Sequence, residues 1–227
     1  MFEAILFDLD GVLVESMPHH AAAWQWIMAQ QGIAIDLRDA YLVEGYRSMV
    51  IARRFLGDRS AGMTDAEIEA MIERKRRYYR ELTSGLRMAP EVCRTVARLR
   101  EMGFRLALVT SSVRANLDHT VPDADDLFDA IITGDDVTRG KPDPQPFVTA
   151  AAHLGLPPRR CVVVENAPLG ITSAVAAGAF CVALTTTLDA DSLAAAHLVI
   201  NGDVTALGDE DVWNHIRVVA GGAGFGA

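Results

Sequence analysis

Two carboxylates, one residue apart, follow an apolar run at the start of the chain. Residues 2–7 have the length and composition of a buried parallel strand, and Asp8 and Asp10 come directly after them. In an extended chain alternate side chains point the same way, so both carboxylates face one point while Leu9 turns away. Because buried charge is costly without a partner or a metal, the pair predicts a reaction centre. The alternative is an Asp-Gly turn whose two carboxylates are simply solvated.

Polar residues also end three later predicted strands. Thr110 and Ser111 follow an apolar run that begins at Arg105, and Glu165 and Asn166 end another that begins at Cys161. Lys141 follows a third, after the loop at 134–136. Ligands of open α/β sheets bind just outside the carboxyl ends of the strands, so these groups are expected to form one site with the two aspartates.

Lysine usage singles out one member of this set. The chain has 19 arginines but only two lysines, Lys75 and Lys141. Lys141 stands alone between Gly140 and Pro142, which favours a site that needs a compact ammonium rather than a planar guanidinium. Lys75 lies in a basic run at 74–77, which predicts a charged, solvated helix face.

The pattern of elements predicts how these residues are positioned. Helical periodicity at 17–31, about 47–57 and 64–82, with no convincing strand between 15 and 85, indicates an all-helical insert. From about residue 90 helices and strands alternate, which predicts a doubly wound, Rossmann-like parallel sheet of the α/β class. The expected domains are an α/β core, residues 1–14 and 86–227, and a helical domain, residues 15–85. The Gly-rich end, 221–227, predicts a loose tail.

Composition limits the partners that can be expected. The formal net charge is −9, so the 227-residue chain has no basic footprint for nucleic acid or an anionic membrane. No apolar run approaches the roughly 20 residues that span a bilayer, and the first residues lack the basic region of a signal peptide. The three cysteines lack metal-ligand spacing and are expected to be buried thiols of a reducing compartment. A cytoplasmic location is therefore expected.

Four ordered motifs together carry a resemblance to a known family. They are Asp8-Leu9-Asp10-Gly11-Val12, Val109-Thr110-Ser111-Ser112, Gly140-Lys141-Pro142-Asp143-Pro144 and Val164-Glu165-Asn166-Ala167-Pro168-Leu169-Gly170. In this order they resemble the haloacid dehalogenase-like superfamily, and the helical insert resembles the cap domain of its β-phosphoglucomutase and phosphatase branch. The resemblance covers essentially the whole chain.

The resemblance implies a role for each strand-end residue. Asp8 is the expected nucleophile, which would form an aspartyl-phosphate. Asp10 would protonate the leaving oxygen and then take a proton from water, a role for which we expect a raised pKa beside a second carboxylate. Thr110 and Ser111 would hold phosphate oxygens, and Lys141 would neutralise phosphate charge and restrain Asp8.

The resemblance also implies Mg²⁺, which would bridge a protein carboxylate and a phosphate that otherwise repel each other. The expected ligands are Asp8, the backbone carbonyl of Asp10, and the fourth motif. Asn166 stands there where many relatives have Asp, and an amide oxygen brings no charge. Glu165 either contributes to the metal, directly or through water, or only braces Lys141; the sequence leaves both roles open.

In the helical insert, His20 matches a histidine of the mutase branch, although it also fits an ordinary polar helix residue. Arg47 is a second candidate for contact with substrate. Glu44 stands where the mutase loop usually has a basic residue, which weakens a sugar-phosphate mutase assignment. The resemblance further predicts a cis Lys141–Pro142 bond.

The leading prediction is a Mg²⁺-dependent phosphatase that hydrolyses a small organic phosphate monoester, such as a sugar phosphate or phosphoglycolate, through an aspartyl-phosphate. One alternative is a phosphosugar mutase of the β-phosphoglucomutase type. The other is a non-catalytic regulatory protein that binds phosphate through a site degraded at Asn166. The expected partner is a small phosphate ester, not nucleic acid or membrane.

Overall fold

The computed structural model describes residues 1–225 and confirms the doubly wound α/β fold. All pairings within the six-stranded sheet are parallel, in the order β3-β2-β1-β4-β5-β6. This order reverses direction between β1 and β4, so the crevice for a ligand opens at the carboxyl ends of these two strands. The strands are Ala4–Phe7 (β1), Arg105–Val109 (β2), Ala130–Ile132 (β3), Cys161–Glu165 (β4), Phe180–Leu184 (β5) and Leu198–Ile200 (β6).

Helices connect the strands and form the insert after β1. Within the described residues they are Met17–Ala29 (α1), Leu37–Leu42 (α2), Ser48–Leu56 (α3), Asp65–Leu82 (α4), Pro90–Glu101 (α5), Arg114–Thr120 (α6), Ala124–Leu127 (α7), Gln145–His153 (α8), Pro168–Ala176 (α9) and Glu210–Gly222 (α10). The short α2 and the long α10 were not anticipated from periodicity, whereas the strands from Cys161, Phe180 and Leu198 have the predicted bounds.

The sheet is buried on both faces because its strands alternate between two apolar clusters. Along β1, Ile5 and Phe7 join the cluster that contains Trp213 of α10, whereas Ala4 and Leu6 join the opposite one. Side chains two apart share a face, so a continuous apolar run serves both clusters. The central strand is therefore fully buried and holds the residues that follow it in place.

The helical insert has an apolar cluster of its own, and no strand lies between residues 15 and 85. Trp24 and Ile27 of α1 pack there with residues of α3 and α4. A capping box opens α4, since Thr64 Oγ1 accepts from Glu67 N and Glu67 Oε2 accepts from Thr64 N. The insert thus packs internally while it stays joined to the carboxyl end of β1.

Two minor expectations are wrong. The predicted loose tail is packed against the core as far as Phe225, because the ring of Phe225 lies edge-on to Phe180 at a centroid distance of 5.4 Å. Residues 226–227 lie outside the described part. Cys161 and Cys181 are buried as expected, but Cys93 lies on the exposed side of α5.

No helix among residues 1–225 is long and apolar enough to cross a membrane.

Candidate active site

The structure brings Asp8, Lys141 and Glu165 together at the carboxyl end of the sheet. Lys141 Nζ lies 2.6 Å from Asp8 Oδ1 and 2.7 Å from Glu165 Oε1. It also donates to the backbone carbonyl of Val109, at 3.3 Å. All three charged side chains are buried, and Asp8 keeps the largest exposure, at 7%. The Lys141–Pro142 peptide is cis, as predicted.

Burial and charge act in opposite directions on these groups. Burial raises the pKa of Asp8 well above its ordinary value, against the attraction of Lys141, and the charges of Glu165 and Asp10 raise it further. For Lys141 burial favours the neutral amine, but the attraction of Asp8 and Glu165 outweighs it and raises the pKa. Lys141 therefore stays protonated, and one ammonium is shared between two carboxylates.

Asp10 faces a different set of partners. Its Oδ1 accepts from Ser16 Oγ at 2.5 Å and lies 3.0 Å from His20 Nε2, while its Oδ2 accepts from Ser112 Oγ at 3.1 Å. Burial by itself raises the pKa of Asp10, but the charge and hydrogen bond of His20, with those of Ser16 and Ser112, bring it below its ordinary value. The expected raised pKa is wrong, because these donors outweigh the neighbouring carboxylate.

Lys75 is not on a solvated helix face, and this expectation is also wrong. Its side chain turns inward from α4, is 3% exposed, and places Nζ 3.0 Å from His20 Nδ1. Tyr79, one turn later, stacks on the His20 ring at a centroid distance of 4.0 Å. Burial lowers the pKa of Lys75 to about 8. The scarcity of lysine was the signal that could have identified it, as it did Lys141.

The second motif contributes one candidate for phosphate binding, Thr110, and one residue that contacts the insert, Ser111. Thr110 is 3% exposed, and its Oγ1 accepts from Ser112 N at 3.0 Å, which turns the chain at the end of β2. Ser111 Oγ donates to the carbonyl of Gly45 at 2.6 Å, so this hydroxyl ties the insert to the sheet. Ser112, which the sequence did not single out, is the residue that reaches Asp10.

The fourth motif separates into a bracing residue and a candidate ligand. Glu165 uses Oε1 for Lys141 and Oε2 for the backbone N–H groups of Asn166 and Ala167, at 3.0 and 3.2 Å. Asn166 Nδ2 lies 3.2 Å from the carbonyl oxygen of Asp10 and 2.8 Å from Thr187 Oγ1. Asn166 Oδ1 is buried and has no hydrogen-bond partner. Both oxygens of Glu165 are engaged, whereas Asn166 retains an unpaired acceptor.

The oxygen atoms available at this end of the sheet are suitable ligands for Mg²⁺. Among the described residues no group of three His, Cys, Asp or Glu side chains could hold a metal. Other oxygens at the carboxyl end of the sheet are of different kinds, namely the backbone carbonyl of Asp10, which lies 3.2 Å from Asn166 Nδ2, and the orphaned amide oxygen of Asn166. Mg²⁺ prefers oxygen ligands, binds through one or two carboxylates, and completes its shell with water and phosphate. An unpaired buried acceptor calls for such a partner.

Two cavities adjoin the site, and the candidate substrate residues divide between them. A narrow cavity is lined by His20, Glu44 and Lys75 together with Ser112. A wider cleft of about 630 Å³ reaches Lys141 and is lined by Arg47. Arg47 is exposed, and its Nη1 donates to the carbonyl of Thr138 at 3.1 Å. His20 therefore lies beside Asp10, whereas Arg47 lies at the rim of the wider cleft.

Comparison with known proteins agrees with this geometry. A family model described as haloacid dehalogenase-like hydrolase matches residues 2–178. Validoxylamine A 7'-phosphate phosphatase of Streptomyces hygroscopicus subsp. limoneus is 34% identical over 222 residues, which cover 95% of this chain and 99% of the relative. Hexitol phosphatase A of Escherichia coli (strain K12) is 32% identical over 203 residues, 88% and 90% of the two chains. A crystal structure of β-phosphoglucomutase from Clostridium difficile superposes with a TM-score of 0.85 at 26% identity, covering 96% and 98%.

Proposed function

The chain belongs to the haloacid dehalogenase-like hydrolase family, and from this membership we propose a Mg²⁺-dependent phosphatase that acts on small organic phosphate monoesters through an aspartyl-phosphate. The observation that carries the proposal is the buried contact of 2.6 Å between Asp8 and Lys141, beside a second carboxylate with its own proton donors. A nucleophile, an acid–base group and a cation then meet at one sheet edge. The phosphatases among its relatives support this reaction class.

In the first step Asp8 is the nucleophile. A carboxylate oxygen of Asp8 forms a bond to phosphorus, and the bond between phosphorus and the ester oxygen breaks on the opposite side. Asp10 receives a proton from His20 Nε2 at 3.0 Å while His20 Nδ1 takes one from Lys75 Nζ, also 3.0 Å away. Asp10 then gives this proton to the leaving oxygen and is left as a carboxylate. Because the pKa of Asp10 is lowered in the free protein, Asp10 is a carboxylate until the phosphate brings its negative charge.

In the second step water attacks the phosphorus of the aspartyl-phosphate. Asp10, now a carboxylate, takes the proton of the water, and the bond between phosphorus and Asp8 breaks to release inorganic phosphate. Lys141 keeps its charge throughout, because Glu165 and Asp8 raise its pKa. It offsets the charge on the phosphoryl oxygens, and Thr110 holds one of these oxygens.

Asp8, the carbonyl of Asp10 and the amide oxygen of Asn166 would hold the Mg²⁺. When bound, the ion supplies positive charge that screens the nucleophile from the phosphate. We assign Glu165 to bracing Lys141, since the lysine and two backbone N–H groups occupy both of its oxygens. We further propose residues 15–85 as a cap over a core formed by residues 1–14 and 86–227.

The test is hydrolysis of p-nitrophenyl phosphate by the Asp8→Asn variant. The amide keeps the shape of the side chain but cannot attack phosphorus, so turnover should fall at least about a thousandfold. The exposed Asp39→Asn change in α2 is the matched control and should retain full activity. EDTA should suppress the wild-type rate, and added Mg²⁺ should restore it. Full activity of Asp8→Asn, or in EDTA, would refute the proposal.

A phosphosugar mutase is the second candidate, favoured by the close superposition on a β-phosphoglucomutase. It shares the first step, but the phosphoryl group of Asp8 returns to a bound sugar phosphate instead of water. Conversion of β-glucose 1-phosphate into glucose 6-phosphate, measured against phosphate release, separates the two. Isomerisation that outpaces phosphate release would favour the mutase.

A further inference from the structure

Three consecutive threonines follow β5, and each makes a hydrogen bond to a different part of the chain. Thr185 Oγ1 accepts from a backbone N–H after β6 at 3.1 Å, and Thr186 Oγ1 donates to the carbonyl of Gly11 after β1 at 2.6 Å. Thr187 Oγ1 accepts from Asn166 Nδ2 at 2.8 Å. Because the first two bonds fix the loop at both of its neighbours, the third threonine is held in place beside Asn166.

The two ends of the Asn166 side-chain amide are in different situations. The residue is fully buried, and its Nδ2 has two N–H donors for which there are two acceptors, Thr187 Oγ1 at 2.8 Å and the carbonyl oxygen of Asp10 at 3.2 Å. Its Oδ1 has no hydrogen-bond partner within the described part of the chain. The donors of this amide are therefore satisfied, and the end that still needs a partner is the oxygen.

The carbonyl of Asp10 and the hydroxyl of Thr187 constrain this amide in different ways. A carbonyl can only accept, so a turned amide would place Oδ1 where Nδ2 now lies, 3.2 Å from a second acceptor. The carbonyl thus decides which end of the amide faces it. It is also one of the proposed metal ligands, so its lone pairs are shared when the site is loaded. Thr187 lies outside that ligand set and keeps its contact with the amide.

Gly11 packs closely over the contact between Thr187 and Asn166. A Cβ at Gly11 would lie 2.1 Å from Asn166 Nδ2 and 2.9 Å from Thr187 Oγ1. The bond from Thr186 to the Gly11 carbonyl keeps this stretch of backbone where it is. The hydroxyl and the amide are therefore in direct contact in a closely packed place, and the position of one constrains the position of the other.

We propose that Thr187 is a positioning residue for the metal site, which holds the Asn166 amide so that Oδ1 faces a bound divalent cation. An aspartate at this position would have two equivalent oxygens, whereas an amide has only one end that can ligate a metal. Its orientation must therefore be fixed by its neighbours, as hydrogen bonds behind the ligands commonly do. This inference rests on the Mg²⁺ ligands of the proposed phosphatase and adds to them a residue of the loop after β5.

The experiment measures Mg²⁺ binding without catalysis. The melting temperature of each variant is recorded against Mg²⁺ concentration at constant ionic strength, and Kd follows from the stabilisation that binding produces. Thr187→Val removes the hydroxyl at nearly constant shape, and Thr187→Ser keeps it. Thr187→Ala, a second variant without the hydroxyl, is used if the valine variant does not fold. Thr172→Val on the exposed side of α9 is the matched control, since its hydroxyl bonds only to the carbonyl of Pro168 in the same helix.

In Thr187→Val we expect the Kd for Mg²⁺ to rise by about ten- to a hundredfold, the usual cost of losing a contact behind a metal ligand. Thr187→Ser should restore most of the affinity, and Thr172→Val should leave Kd unchanged. In an Asn166→Ala background the Thr187→Val change should have no further effect on Kd, because Thr187 acts through the Asn166 side chain.

An unchanged Kd in a folded Thr187→Val variant would overturn the inference. So would an equal loss of affinity with and without the Asn166 side chain. A lower melting temperature with an intact response to Mg²⁺ would show that the threonine is only structural, which also refutes the inference. A wild type whose melting temperature does not respond to Mg²⁺ would instead refute the metal site of the proposed function itself.

Discussion

At the scale of single residues, Lys75 determines how the proton of the Asp10–His20 pair is held. A protonated Lys75 donates to His20 Nδ1, so the ring proton must sit on Nε2, where it faces Asp10. A neutral amine can also accept, and the ring then loses its fixed tautomer. Because burial lowers the pKa of Lys75 to about 8, the ammonium loses its proton within the pH range in which activity assays are ordinarily run.

We therefore predict an alkaline limb in the pH profile of kcat/KM, with a midpoint near pH 8. The rate falls as pH rises, because the active form carries the lysine proton. Lys75→Met should lose about ten- to a hundredfold in rate, and its remaining activity should lack this limb. The exposed Arg77→Met change should leave both rate and profile unaltered. A limb that persists in Lys75→Met would show that another group titrates there.

The same pKa has the opposite consequence for stability. Between about pH 8 and the ordinary value of 10.5, the unfolded chain holds the lysine proton and the native protein does not. The free energy of unfolding should therefore rise with pH across this window, as far as Lys75 contributes. Chemical denaturation of the wild type and Lys75→Met at several pH values measures this difference. As pH rises through this window, activity should fall while the contribution of Lys75 to the free energy of unfolding increases.

At the scale of secondary-structure elements, the site depends on how closely α9 approaches the end of β4. Gly170 lies in the first turn of α9, and a Cβ there would overlap the carboxylate of Glu165. Gly11 follows β1 and has φ +83°, and a Cβ there would overlap the side-chain amide of Asn166. These glycines let the fourth motif reach Lys141 and the carbonyl of Asp10 at hydrogen-bond distance. Both lie in motifs that the sequence quoted, but their role became clear only from the packing.

Gly170→Ala should accordingly displace Glu165 and weaken its hold on Lys141. We expect a loss of about 1–3 kcal/mol in the free energy of unfolding, the usual cost of overpacking, together with reduced kcat. Gly221→Ala in α10 is the matched control, because its Cβ would meet nothing within 4 Å. Thermal melts and p-nitrophenyl phosphate hydrolysis measure the two effects. A Gly170→Ala variant with wild-type kcat would contradict the bracing role of Glu165.

At the scale of the whole molecule, the helical insert and the sheet share the site. Asp10 follows β1, whereas His20 and Lys75 come from α1 and α4 of the insert, and they meet in one hydrogen-bonded chain. Ser111 and Gly45 join the two parts on one side, and an exposed pair between Arg38 and Asp189 joins them on another. The exposed pair contributes little, since surface ion pairs are worth about 0–1 kcal/mol. The attachment of the insert to the sheet therefore depends mainly on the buried contacts around Asp10.

Ligand binding at this junction should stabilise the whole chain. Mg²⁺ with inorganic phosphate should raise the melting temperature. At a ligand concentration of a hundred times Kd, the free energy of unfolding should increase by about 2.7 kcal/mol. Phosphate without Mg²⁺ should give a much smaller shift, because the site already contains three buried carboxylates and one ammonium from Lys141. Differential scanning calorimetry at constant ionic strength measures the shifts. Equal shifts with and without the metal would count against the proposed ligand set.

The sequence alone determined the α/β class, the strands beneath the site and the residues at their carboxyl ends. These features are local, since an apolar run of strand length and the residue that ends it are visible in a few consecutive letters. The strand ends then converge because a parallel sheet brings them to one edge. Asp8, Asp10 and Lys141 were identified in this way.

Only the tertiary structure decided which partner each charged group has. The basic run at 74–77 conceals Lys75, because a helix turns one of four neighbours inward and the charge pattern does not say which. The lowered pKa of Asp10 depends on His20, ten residues away in another element, and on Ser112, 102 residues away. Such pKa shifts arise from distances between groups that packing alone sets, whereas the pattern that makes a strand is written along the chain.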